Sequence, residues 1–187
     1  IEGNYYFIDK TNLLKEIVQD GAKVKLFTRP RRFGKTLNMS MLRYFFDIKN
    51  AENHRKLFTG LDIRESSYFE KQGKYPVIYL SLKDIKEVSW QDCSRRIRKV
   101  LSDLFAEYKY LRDDLDQRDL KNFDGIWLEE ADGNYFDALK DLSKYLLRYH
   151  EKKVVILLDE YDTPMVSAYE NGYYEEAMTF YRNFYSA

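Results

Sequence analysis

The sequence predicts an α/β protein with helices packed against a parallel sheet, and three observations carry that expectation. Two apolar runs, residues 77–82 and 154–158, have the length and β-branched content of buried strands. Long stretches with apolar residues at helical spacing separate them, as a parallel pairing requires. Gly34-Lys35-Thr36 stands between a further apolar stretch, residues 24–28, and a helical pattern that begins at Leu37.

Taken in order, residues 12–19 read as a short helix with Leu13, Leu14, Ile17 and Val18 on one face, after an extended lead-in through Tyr5, Tyr6, Phe7 and Ile8. Gly21 ends that helix ahead of a first core strand at 24–28. The helix 36–48 carries Leu37, Met41, Leu42, Phe45 and Ile48 at helical spacing. Pro76 opens the strand 77–82, a position where its missing N–H costs nothing. Ser89 caps a helix to about Tyr108, with Trp90, Cys93, Ile97, Leu101, Leu104, Phe105 and Tyr108 on one face, so Cys93 is a core residue. Arg95, Arg96, Arg98 and Lys99 lie partly on its other face, which is either solvated or a nucleic-acid contact; the solvated face is preferred.

Residues 113–119 are acidic and aperiodic and read as a surface excursion. Asn134 caps a helix over 135–149 with Phe136, Leu139, Leu142 and Leu146 inward, which delivers the chain to the strand at 154–158. Past that strand Tyr161 and Asp162 either shape the site or form an Asx-type turn before Pro164, with the turn preferred, and residues 173–185 are helical with Ala177, Phe180, Tyr181 and Phe184 on one side.

A chain of 187 residues with 44% hydrophobic content fits one domain with a sizeable core. Its 31 basic and 31 acidic residues cancel, so global charge selects neither nucleic acid nor a membrane surface. One cysteine and two distant histidines, His54 and His150, exclude a disulfide framework and a zinc pattern within this chain. The expected setting is reducing and cytoplasmic, without a membrane span. The chain opens on Ile1 and stops at Ala187 in a helical pattern, and is read as the N-terminal part of a longer protein.

The chemistry concentrates in two motifs. In a phosphate-binding loop, backbone N–H groups at a helix N-terminus face the phosphates, a lysine reaches the outer phosphates, and a hydroxyl binds Mg²⁺. Lys35 and Thr36 fit the last two roles. The usual G-x-x-x-x-G-K-[ST] pattern is met only in part, because Arg29 stands where the first glycine belongs. An ordinary turn before a helix is the alternative. The second motif is Asp159-Glu160, closing the run that starts at Val154. An acid at the carboxyl end of a parallel strand can support the Mg²⁺ shell, the role of Asp159, and the next residue, Glu160, can polarise the attacking water. A solvated acidic turn is the alternative for the pair. Together, in this order, the motifs select a P-loop NTPase fold, a three-layer α/β/α arrangement around a parallel sheet. The nucleotide-binding positions are then Gly34, Lys35, Thr36 and Leu37, the metal positions Thr36 and Asp159, and the catalytic positions Lys35 and Glu160. ATP is preferred over GTP because no Asn-Lys-x-Asp motif is present.

The block from Arg29 to Thr36, with Asp9-Lys10-Thr11 upstream and the stretch from Leu158 to Pro164 downstream, resembles a bacterial family of predicted AAA-ATPase-like proteins over nearly the whole chain. In that family an Arg-Pro-Arg-Arg-Phe-Gly-Lys block replaces the glycine-rich half of the loop, which accounts for Arg29. Members commonly continue into a PD-(D/E)XK nuclease-like domain. The resemblance implies Lys35 and Thr36 on phosphate and magnesium, Asp159 behind the metal and Glu160 on water. It adds Arg31, Arg32 and Phe33 to the nucleotide-binding positions, with Arg31 and Arg32 either on phosphate, on a neighbouring subunit, or in a solvated loop or ion pair. Tyr6, Phe7 and Ile8 either wall an adenine pocket or simply pack, and packing is preferred.

NTPases with a glutamate in this position generally insert a later strand between the phosphate-loop strand and the acidic strand. Nothing after Glu160 reads as a strand, so the sheet is expected to be incomplete in this chain, with unpaired edges costing ~1–3 kcal/mol for each buried orphan group. The expected function is an ATP-binding domain acting as a Mg²⁺-dependent ATPase that drives a conformational step in a larger, nuclease-linked protein. The alternative is a nucleotide-gated signalling module that hydrolyses little. A small-molecule kinase is disfavoured for want of an acceptor motif. Expected partners are the nucleotide and other copies of the chain, with nucleic acid only through regions outside it.

Overall fold

A computed structural model of the protein describes residues 8–28 and 34–186. The chain divides into two compact units, Ile1–Val77 and Ile78–Ala187.

The first unit is helical. Helix α1 (Asn12–Gln19) begins after Thr11 and buries Leu14. Helix α2 (Lys35–Phe46) buries Asn38, Leu42, Phe45 and Phe46, and α3 (Ala51–Lys56) follows through Asn50 in a left-handed turn. Phe45 is the hub of an aromatic core, meeting Phe58, Phe46 and Phe69 edge-on at centroid distances of 5.4, 5.1 and 6.1 Å. Arg55 and Arg64 lie over the Phe69 ring at 4.7 and 4.6 Å, closing the core with cations that keep their heads near water.

The expected strand at 24–28 is not formed. Its alternating pattern is present, yet Val24 and Leu26 are 87% and 64% exposed. An extended segment becomes a strand only when a neighbour pairs its backbone, and among the described residues no ladder reaches this one. The lead-in at residues 5–7 and the loop residues Arg31, Arg32 and Phe33 lie outside the described residues.

The second unit holds the sheet. Strands β1 (Val77–Ser81) and β2 (Val155–Asp159) pair in parallel as a two-stranded sheet. Ile78, Leu80 and Leu82 belong to the core, joined from β2 by the partly buried Ile156 and Leu158. By strand alternation Tyr79 and Ser81, with Leu157 and Asp159, occupy the opposite face. This small parallel sheet with its surrounding helices is a partial P-loop NTPase α/β arrangement.

Helix α4 (Trp90–Ala106) is capped as expected: the Ser89 hydroxyl oxygen accepts the Asp92 N–H at 3.2 Å. Its apolar face buries Cys93, Ile97, Leu101, Leu104 and Phe105. Burial pushes the Cys93 thiol up to about 11, so it stays protonated near neutral pH and acts as packing.

Two helices depart from the sequence expectation. Residues 113–119 are no excursion, because α5 (Gln117–Trp127) begins inside them, with Asp116 accepting the Asp119 N–H at 2.9 Å and Phe123 and Ile126 buried. Carboxylates at a helix N-terminus satisfy its free donors and favour its dipole, so an acidic run can be a start signal. Helix α7 (Thr163–Glu170) starts at the supposed turn, with Pro164 in its first positions, where the missing N–H is harmless. The turn before it is closed by the backbone bond from Thr163 N–H to Glu160 C=O at 3.1 Å, and Asp162 makes no side-chain cap bond.

Helix α6 (Ala138–His150) follows a 3-10 turn, burying Leu139, Leu142 and Leu146, whereas Phe136 is exposed rather than inward. Helix α8 (Tyr174–Phe184) buries Ala177, Phe180, Tyr181 and Phe184, as its periodicity predicts.

Candidate functional site

The phosphate-loop candidate belongs to the first unit. Gly34 is the N-cap of α2 with φ 75°, a left-handed conformation that glycine adopts without a Cβ penalty. Its C=O accepts the Asn38 N–H at 3.0 Å, so Lys35, Thr36 and Leu37 form the first turn. Their N–H groups have no intrahelical acceptor, which makes the turn a donor-rich, electropositive end. Thr36 and Leu37 are exposed, and Lys35 is half-buried.

Asp9, Lys10 and Thr11 explain one another here. The Asp9 carboxylate accepts the N–H groups of Thr11 at 2.8 Å and Asp62 at 2.7 Å. The Thr11 hydroxyl oxygen accepts the Ile63 N–H at 3.1 Å. These bonds tie the start of α1 to the chain near residue 62 and leave Lys10 exposed between them. Its Nζ would lie 3.7 Å from a Cβ built on Gly34, which brings a second ammonium to the start of α2. Sequence reasoning assigned Lys10 no role; the signal was a cation between two residues whose side chains serve the backbone.

The acidic motif belongs to the second unit. Asp159 ends β2 and is 6% exposed. The Tyr79 hydroxyl donates to its Oδ2 at 3.4 Å. The Leu82 N–H donates to the Asp159 C=O at 3.0 Å. In a parallel ladder that bond sets Ser81 opposite Asp159 on the same face. The Ser81 hydroxyl is buried and has no hydrogen-bond partner among the described residues. Glu160 has φ 52°, a left-handed conformation outside the glycines. The Thr163 hydroxyl donates to its Oε2 at 3.4 Å.

The donor set suits magnesium. Within the second unit Ser81, Tyr79 and Asp159 offer oxygen only, the ligand type of a hard cation that keeps most of its own waters and needs one or two carboxylates besides phosphate. Among the described residues no group of three or more His, Cys, Asp or Glu side chains gathers as a metal cluster would. No helix of the described residues is long and apolar enough to cross a membrane.

The sequence model of the family described as "Predicted AAA-ATPase" matches residues 1–187. An "Uncharacterized protein in vnfD 5'region" of Azotobacter chroococcum mcd 1 is 25% identical over 163 residues, covering 87% of this chain and 27% of that protein. The chain thus spans about a quarter of the length of the relative it matches. No solved structure matches it.

Proposed function

Because the chain belongs to the predicted AAA-ATPase family, which carries nucleotide binding in general, we propose that it is the ATP-binding part of a Mg²⁺-dependent ATPase whose turnover drives a conformational step in a larger protein. The observation that carries the reading is the start of α2, where a left-handed glycine turns the chain so that Lys35 and Thr36 form the first turn of the helix.

In this reading the first-turn N–H groups and the Lys35 ammonium bind the outer phosphates, with Arg31 and Arg32 as further cations and Phe33 and Leu37 flanking them. Lys35 also stabilises charge on the phosphate oxygens as the γ-phosphate leaves. The Thr36 hydroxyl and the Asp159 carboxylate hold the cation. When bound, magnesium neutralises the phosphate oxygens. Glu160 takes the proton of the attacking water, and the Thr163 hydroxyl on its Oε2 steadies the carboxylate.

The test is Mg·ATP binding by calorimetry and phosphate release, measured on the full-length protein and on Lys35→Ala and Glu160→Gln. Lys35→Ala is expected to lose binding. Glu160→Gln is expected to bind ATP at least as tightly and to release phosphate ~10²–10⁴-fold more slowly, the usual worth of a general base. A wild type that binds ATP and turns over no faster than Glu160→Gln would be a nucleotide-gated module instead.

A further inference from the structure

Resting on the reading that Asp159 holds the cation, we propose that Ser81 and Tyr79 of β1 complete the cation-holding end of the site: Tyr79 orients the Asp159 carboxylate, and the Ser81 hydroxyl bonds a water of the magnesium shell.

The argument begins with the register. The bond from Leu82 N–H to Asp159 C=O, 3.0 Å, makes Ser81 the cross-strand neighbour of Asp159 at the carboxyl end of both strands. Ile78, Leu80 and Leu82 point into the apolar core, so Tyr79 and Ser81 face the other way, toward the side that carries Asp159. Tyr79 sits one pair earlier, and its long side chain reaches forward to Asp159 Oδ2 at 3.4 Å. That bond engages Oδ2 and fixes the plane of the group, as partners behind a metal-binding carboxylate do elsewhere.

Ser81 is the anomaly that points to a ligand. A buried hydroxyl without a partner is rare, because it forfeits its hydrogen bonds to water and gains none in return. An apolar residue would fill the same place at no such cost. Ser81 stands beside a carboxylate that is itself buried, 6% exposed, at the strand end where α/β folds take their ligands. A serine hydroxyl both donates and accepts, so it can bond a cation-bound water whichever way that water turns. Magnesium dehydrates reluctantly and keeps several waters, so a hydroxyl placed one strand away from the carboxylate meets the shell rather than the ion.

The experiment titrates Mn²⁺, standing in for Mg²⁺, into the full-length protein saturated with a non-hydrolysable ATP analogue, and reads free Mn²⁺ by electron paramagnetic resonance. Wild type, Ser81→Ala, Tyr79→Phe and Asp159→Asn are compared, with a melting curve for each. Ser81→Ala and Tyr79→Phe are expected to weaken Mn²⁺ binding about 10-fold. Ser81→Ala should melt no lower than wild type without metal, since it deletes an unsatisfied hydroxyl. Wild-type Mn²⁺ affinity in both variants, with affinity lost in Asp159→Asn, would overturn the role of Ser81 and Tyr79 and leave Asp159 as the cation residue. Wild-type affinity in Asp159→Asn as well would overturn the reading of Asp159 and the proposal with it.

Discussion

Asp9 and Asp62 are 53 residues apart, and the Asp9 carboxylate accepts the Asp62 N–H at 2.7 Å. With Thr11 bonded to Ile63, this fixes the start of α1 as a clamp on the chain that follows α3. The clamp gives an Asp-Lys-Thr triplet a physical division of labour. The outer residues hold backbone, and the middle one is presented toward Gly34.

Asp9 makes the first unit's stability pH-dependent. Burial alone would raise its carboxyl, but the N–H donors of Asp62 and Thr11, with Lys15 nearby, hold it below the ordinary carboxylate value. The folded state therefore favours the ionised form, so its contribution is present above the unfolded value of about 3.9 and lost as pH falls through the lower folded one. Asp9→Asn should cost about 1–2 kcal/mol in denaturant unfolding at pH 7. The gap to wild type should narrow below about pH 4.

Asp119 anchors a cluster in the second unit. Its side chain is 10% exposed and accepts from Lys144 and Arg148, each at 3.1 Å, while those cations are 58% and 41% exposed. Removing one cation leaves the other in place, so Lys144→Met should cost under about 1 kcal/mol, as partly exposed pairs do. Arg148→Met in that background leaves the carboxylate buried alone and should cost about 3 kcal/mol more. Chemical denaturation of the two single variants and the double variant measures this coupling directly.

Periodicity made α1, α4 and α8 legible, because their apolar faces pack as the spacing requires. The acidic start of α5 was hidden because Asp116 and Asp119 look like solvated loop residues unless their spacing is read as a cap. The strand at 24–28 was overread: its pattern is local, whereas a strand depends on a partner that no local pattern reveals. The place of Asp159 at the end of β2 was legible from the apolar run before it. The pairing of Ser81 with Asp159 was not, since it comes from register across the sheet, which the residues of β1 alone do not specify.

Lys10 should act on phosphate through charge. Its ammonium stands at the electropositive end of α2, and among the described residues no carboxylate pairs with it. A cation there opposes the helix dipole by about 0.3–1 kcal/mol until an anion arrives. Lys10→Ala should therefore leave the unliganded protein as stable or slightly more so, while weakening ATP binding about 3–10-fold, one charged contact's worth at an exposed site. The loss should shrink as salt is raised, read by calorimetry at two ionic strengths.

Glu160 separates chemistry from backbone strain. Its φ of 52° is one that an L-residue with a long side chain adopts at a cost of about 1–2 kcal/mol. Glycine would escape that cost but lose about 0.4–1 kcal/mol through a freer unfolded chain. Glu160→Gly should thus be more stable than wild type by up to about 1.6 kcal/mol on those figures, and inactive. Glu160→Gln keeps the strain and the reach toward Thr163, so its melting temperature should match wild type while phosphate release falls. If the Gly variant melts below the Gln variant, the left-handed turn at Glu160 carries no strain. If Gly alone melts higher while both are inactive, the carboxylate is held in place against the stability of the fold, as expected where a turn exists to aim a catalytic group.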